Sequence, residues 1–227
     1  AYVVGEGESL SRLLPGNIDP LFLGIGFWLI MTLLLKEGLR ALKKVETYGV
    51  IAIILIILGM FIKFFPRIEP ANLLIINEPN FALPIGVVFF ALLGFASIPE
   101  LRKEIKGKEK DFKKAIILGS IIPIILYIIF SAIFVGVLGD EVTEVATLSF
   151  GPFITILGIF AMLTSYMALS FVLKDTFKED LKLSPKTNFL LTSIVPLMVY
   201  LLISRWDLLS FIKILGIGGV VSGGLTG

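Results

Sequence analysis

The sequence predicts an all-α membrane protein, a helical bundle of seven transmembrane helices, and three observations carry that expectation. Of the 227 residues 56% are apolar and only 17% charged, and the mean hydropathy of +0.98 lies outside the range of soluble domains. Apolar runs long enough to cross roughly 30 Å of hydrocarbon recur between short charged loops. Basic residues crowd into alternate loops, as the positive-inside rule requires of a multi-pass protein.

The first twenty residues carry Gly5, Glu6, Gly7, Glu8, Pro15 and Asp19, too polar a set to span, and an extracytoplasmic loop is expected at 1–20, with an earlier helix ending at Val4. The apolar runs then fall at 21–36, 49–65, 82–99, 115–138, 152–173, 188–204 and 208–226. No stretch has the basic leader and early apolar core of a cleavable signal. The chain begins at Ala1, without Met, and stops at Gly227 inside an apolar stretch, so a fragment of a longer protein is expected.

The loops check the span count independently. One alternate set holds Lys36, Arg40, Lys43 and Lys44, then Arg102, Lys103, Lys106, Lys108, Lys110, Lys113 and Lys114, then Lys174, Lys178, Lys182 and Lys186. The opposite set holds only Arg12, Lys63, Arg67 and Arg205, and its loop after Gly139 is acidic, with Asp140, Glu141 and Glu144. The first set is therefore cytoplasmic, and the first run enters from outside.

Several functions are excluded by composition. A net charge of +2 offers no electrostatic footprint for nucleic acid. With no Cys and no His, these 227 residues themselves supply no disulfide, thiol nucleophile, His-metal centre or His proton relay. Ser97, Ser165 and Tyr166 have no His or Asp within the spans to activate them, so an intramembrane enzyme is not expected.

Two features could carry chemistry. The third run contains Leu93-Gly94-Phe95-Ala96-Ser97-Ile98-Pro99-Glu100, where Gly94 permits unusual dihedrals and Pro99 removes a donor, so the helix is expected to unwind. An unwound helix in a bilayer must expose its free amides to protein interior or a water-filled cavity, which makes the break a candidate site. The alternative is that Pro99 simply ends the span, with 100–114 a solvated loop. In the fifth run, Ala161-Met162-Leu163-Thr164-Ser165 sets two hydroxyls beside a backbone carbonyl, an oxygen set suited to a small hard cation. Against that stands the habit of Ser and Thr in membrane helices to bond back to their own carbonyls.

The remaining features have plainer readings. Lys213, deep in the last run, costs about 2.5 to 3.5 kcal/mol to insert unless it snorkels or finds a partner, and snorkelling is expected. Gly216, Gly218, Gly219, Gly223 and Gly224 suit close helix packing, or loosening for a gating motion. Tyr48 and Trp206 fall near the interfaces as anchors.

The stretch from Phe90 through Gly94 to Pro99, a basic loop, and Ala115-Ile116-Ile117-Leu118-Gly119-Ser120-Ile121-Ile122-Pro123 together resemble the aromatic and hydroxy amino acid permeases of the amino acid, polyamine and organocation superfamily. The resemblance implies the leucine-transporter fold, two inverted repeats holding substrate between broken helices near the midplane. The seven runs then correspond to helices four to ten, with 21–81 ending the first repeat, 82–227 belonging to the second, and helix six broken. It further implies that Gly94, Phe95, Ala96, Ser97, Ile98 and Pro99 meet substrate. The Ala161-x-Leu163-Thr164-Ser165 motif, followed by Lys182-Leu183-Ser184, is similar to the sodium-coupled leucine transporter. That likeness implies Na⁺ at Ala161, Thr164 and Ser165, with H⁺ the alternative ion, and places Leu169 in the substrate's apolar pocket. A plasma-membrane importer of amino acids by cation symport and alternating access is expected. The rival is a channel or structural membrane subunit without coupled transport.

Overall fold

A computed structural model describes residues 1–37, 40–74, 82–94, 98–105, 107, 109–206 and 209–226. These residues form α1 (Tyr2–Leu13), α2 (Pro20–Glu37), α3 (Arg40–Phe64), α4 (Ala82–Ala91), α5 (Ile98–Glu104), α6 (Glu109–Leu138), α7 (Pro152–Glu179), α8 (Pro185–Trp206) and α9 (Phe211–Thr226), joined by short 3-10 turns, with no strand among them. Among the described residues, the apolar runs at 21–36, 49–65, 115–138, 152–173 and 188–204 each fall on one helix or its immediate 3-10 continuation, and most of the run at 208–226 falls on α9. Among the described residues, four segments are long and apolar enough to cross a membrane: Tyr48–Arg67, Glu109–Glu141, Pro152–Glu179 and Pro185–Trp206. The apolar helices at Pro20–Lys36 and Phe211–Gly223 are shorter. Only 17% to 28% of each spanning window is buried, so the outward faces are apolar too, as a lipid environment demands.

The opening segment departs from expectation. Residues 2–13 are helical rather than a loop, and the helix neither ends at Val4 nor lies exposed. Its polar composition misled because the glycines and acids at 5–8 sit inside a helix whose buried face packs on neighbours. The loop is confined to 14–19. Leu14, preceding Pro15, takes the extended conformation that proline imposes (φ −87, ψ 139), and Gly16 and Asn17 turn the chain with positive φ. Asp19 then caps α2, its Oδ1 accepting from the Leu21 amide at 2.8 Å, with Pro20 in the first turn.

The run at 82–99 divides. α4 stops at Ala91, and the Leu92 amide is shared between the carbonyls of Val88 and Phe89, 3.1 Å from each, as at a tightened helix end. Pro99 stands in the first turn of α5, where its missing N–H is not needed. Of the solvated loop at 100–114 that the alternative reading gives, residues 100–104 lie in α5 and 109–114 in the start of α6.

The chain forms two compact units. One comprises 1–53 and 143–211, the other 54–142 and 212–227. In the first, Val3, Phe27, Met31, Leu35, Met167, Phe171 and Tyr200 form the core, with the Phe27 and Tyr166 rings edge to face at 5.4 Å. Polar ties cross it. Trp28 Nε1 donates to the Ser193 carbonyl at 2.8 Å, and the Tyr200 hydroxyl donates between the carbonyls of Pro20 and Leu21, 3.2 Å from each. Lys174 Nζ reaches the Leu35 carbonyl at 3.3 Å, placing a cation at the C-terminal end of α2.

In the second unit α4 and α9 meet through glycines. A Cβ on Gly219 would overlap the Gly86 carbonyl oxygen, and one on Gly86 would overlap that of Gly216. Close packing, the plainer of the two readings of the α9 glycines, is what these contacts serve. The α6 C-terminal end is tied down by Glu69, whose amide donates to the Gly136 carbonyl at 2.8 Å, and by Asn72 Nδ2 at 3.2 Å from the same oxygen.

Candidate functional site

Of the predicted substrate residues, Gly94 follows α4, and Ile98 and Pro99 begin α5. Phe95, Ala96 and Ser97 lie outside the described residues. Gly94 is exposed, its φ is not in the left-handed region, and a Cβ there would meet nothing within 4 Å. The structure therefore makes no demand for glycine at 94 through backbone strain or close approach. Ile98 is half-buried and Pro99 exposed at the start of α5. On the wall of this segment the Tyr127 hydroxyl of α6 donates to the Ala91 carbonyl at 3.4 Å, satisfying one of the last acceptors of α4.

The predicted cation residues and Leu169 lie on α7, in the other unit. Ala161, Thr164 and Ser165 are spaced i, i+3, i+4 and share one face, each half-buried. Thr164 Oγ1 donates to the Ala161 carbonyl at 2.9 Å, the back-bond to its own helix that competes with a ligand role. A donating hydroxyl keeps its lone pairs, so the oxygen remains able to face a cation. At 100° per residue this face points away from the one carrying Met162, Leu163, Tyr166 and Met167, which packs into the unit's two apolar clusters. Leu169 is 41% exposed.

Lys213 is exposed, in keeping with snorkelling, and Tyr48 and Trp206 are 74% and 62% exposed, in keeping with anchors at an interface. Between α1, α2 and α8 lies a cavity of about 270 Å³ whose polar wall includes Glu8, Asp19, Tyr200, Ser204 and Ser210. Burial and the nearby Glu144 carboxylate raise the Glu8 carboxyl above its ordinary value, while Arg12 opposes them.

Sequence reasoning missed Glu6. It finds no buried carboxylate, yet Glu6 is fully buried and neither carboxyl oxygen has a hydrogen-bond partner. The signal was present as a helical stripe. Tyr2, Val3, Glu6, Ser9, Leu10 and Leu13 recur at the spacing of one face, with Glu6 at its centre. Reading 1–20 as a loop concealed that periodicity.

The family model described as the tryptophan/tyrosine permease family matches residues 1–147. The branched-chain amino acid permease BcaP of Bacillus subtilis (strain 168) is 31% identical over 115 residues, which are 48% of this chain and 24% of that permease. The match thus spans about a quarter of the curated relative's length. No solved structure matches.

Proposed function

The chain belongs to the tryptophan/tyrosine permease family, and from that premise we propose that the intact protein is a secondary active transporter importing an amino acid by cation symport with alternating access. In a permease-family chain, four helices able to cross a bilayer belong to an integral, multi-pass protein of the plasma membrane. The mechanistic part is supported by the end of α4 at Ala91 inside an apolar run, since a bilayer tolerates a helix end only where protein or a water-filled cavity receives its free backbone groups.

In this reading the segment 94–99 offers those groups to the substrate's amino and carboxylate ends, and the helix bundle rocks between two faces around them. The α7 oxygens of Ala161, Thr164 and Ser165 hold Na⁺, H⁺ being the alternative ion. An aromatic amino acid is the first substrate to try, from the family's description, and a branched-chain one the second, from the printed name of the Bacillus relative. Joint occupancy drives closure because cation and substrate both favour the closed state.

Counterflow decides between this reading and a channel or structural subunit. Proteoliposomes of the intact protein, loaded with unlabelled amino acid, should transiently accumulate the labelled one with saturable kinetics. No exchange across a broad amino acid panel would remove the transporter reading.

A further inference from the structure

α1 packs against α2 and α7. Its buried face is filled by Val3, Glu6 and Ser9, and Glu6 stands at the centre, where an apolar side chain would ordinarily pack. The glycines on either side let the neighbours close in. A Cβ on Gly5 would meet Met162 Sδ and the Phe211 ring at 2.8 Å, and one on Gly7 would meet the Pro20 carbonyl oxygen at 2.5 Å. Glu6 is 0% exposed, Ser9 one turn on is also 0% exposed, and the side-chain oxygens of both lack hydrogen-bond partners.

Few groups could hold a charge on that carboxyl. On α2, residues 21–35 carry no titratable side chain, and Asp19 and Lys36 lie at its two ends. On α7 the stretch 152–173 carries only the Tyr166 phenol, which is bonded to Ser170, and Lys174 beyond it is committed to the Leu35 carbonyl. On α8 the stretch 187–204 carries only the Tyr200 phenol, committed to Pro20 and Leu21, before Arg205. On α1 itself, Glu8 and Arg12 stand two and six residues away, Glu8 in the acidic cavity on another side of the helix. Burial is the cause that remains, and it pushes the Glu6 carboxyl from 4.5 up to about 8.

We propose that Glu6 is a proton-binding site of the transporter, occupied while α1 is closed on α2 and α7 and emptied when that face opens to water. On opening, the carboxyl O–H bond breaks, the proton passes to water, and the carboxylate is hydrated. Closing requires a proton to be taken back first, because an ionised carboxylate with neither oxygen bonded is strongly disfavoured in that packing. The stability of the closed face is accordingly complete below pH 4.5 and declines as pH rises through about 8, where the packed acid is lost. This inference rests on the transport reading only for its consequence, proton-coupled movement; the protonation itself does not depend on it.

Two measurements on the intact protein test it. Infrared difference spectra should show a carboxylic C=O band at neutral pH that exposed carboxylates, ionised above about 4, do not give. The band should disappear on alkaline titration, shift in heavy water and be missing in Glu6→Gln. In proteoliposomes, Glu6→Gln should lose acceleration of uptake by an inward proton gradient while retaining counterflow, and Glu6→Asp should keep part of that acceleration. Gradient-accelerated uptake unchanged in Glu6→Gln, or no protonated-carboxyl band in the native protein, overturns the proposal. If the native protein shows the band but no counterflow, the transport reading fails and the proton site stands. If Glu6→Gln does not fold, Glu6→Asp decides: it should shift the band, and a band left unmoved overturns the assignment to Glu6.

Discussion

Thr164 shows how far one residue can be read from sequence. Its hydroxyl at a Thr-Ser step marks a place where an oxygen faces either its own helix or a cation, and the structure finds it donating to Ala161. If the α7 face holds sodium in the intact protein, the double variant Thr164→Val with Ser165→Ala removes two oxygen ligands without removing a packing methyl at 164. Sodium stimulation of uptake should then vanish while the protein still inserts and elutes as a single species. An unchanged sodium response would assign those hydroxyls to helix packing. Glu6 is the converse case, a residue whose type was plain and whose surroundings were not. A carboxylate between two glycines suggests a polar turn, and only the faces that α2 and α7 bring to it make it a buried acid.

At the scale of elements, the long apolar helices were legible because hydropathy persists over their length, and α6, α7 and α8 coincide with predicted runs to within about six residues at each end, while α3 begins nine residues before its run. α1 was not legible. Its stripe is short, two of its central positions are polar, and the propensities of glycine and acid argue against helix when no neighbour is in view. The pairing of α4 with α9 is likewise tertiary, although the glycines that permit it are visible in sequence. Gly219→Leu should drive a side chain into the Gly86 carbonyl and cost about 1 to 3 kcal/mol or more through overpacking. Gly218→Ala, whose Cβ would lie an ordinary 3.4 Å from the Phe90 ring, should be tolerated. The midpoint of heat-induced loss of the monodisperse peak in detergent should fall for the first and stay for the second.

For the whole molecule, the alternation of basic loops makes a prediction that can be tested in the intact protein freed of any native Cys outside these 227 residues, which hold none. In sealed cells, a thiol introduced by Lys110→Cys should react with a membrane-impermeant maleimide only after permeabilisation, whereas one introduced by Glu141→Cys should react from outside. Equal labelling of both in intact cells would mean that the span between them does not cross. Hydropathy and charge by themselves determined that the chain lives in a membrane, where its long helices run and which loops are basic, since those properties are sums over local sequence. What the folded chain alone decided is which polar atoms are deprived of water: the carboxyl of Glu6, the hydroxyl of Ser9 and the carbonyl of Gly86 beneath α9. Burial of an atom is set by what other elements place against it, and no local window of sequence contains those elements.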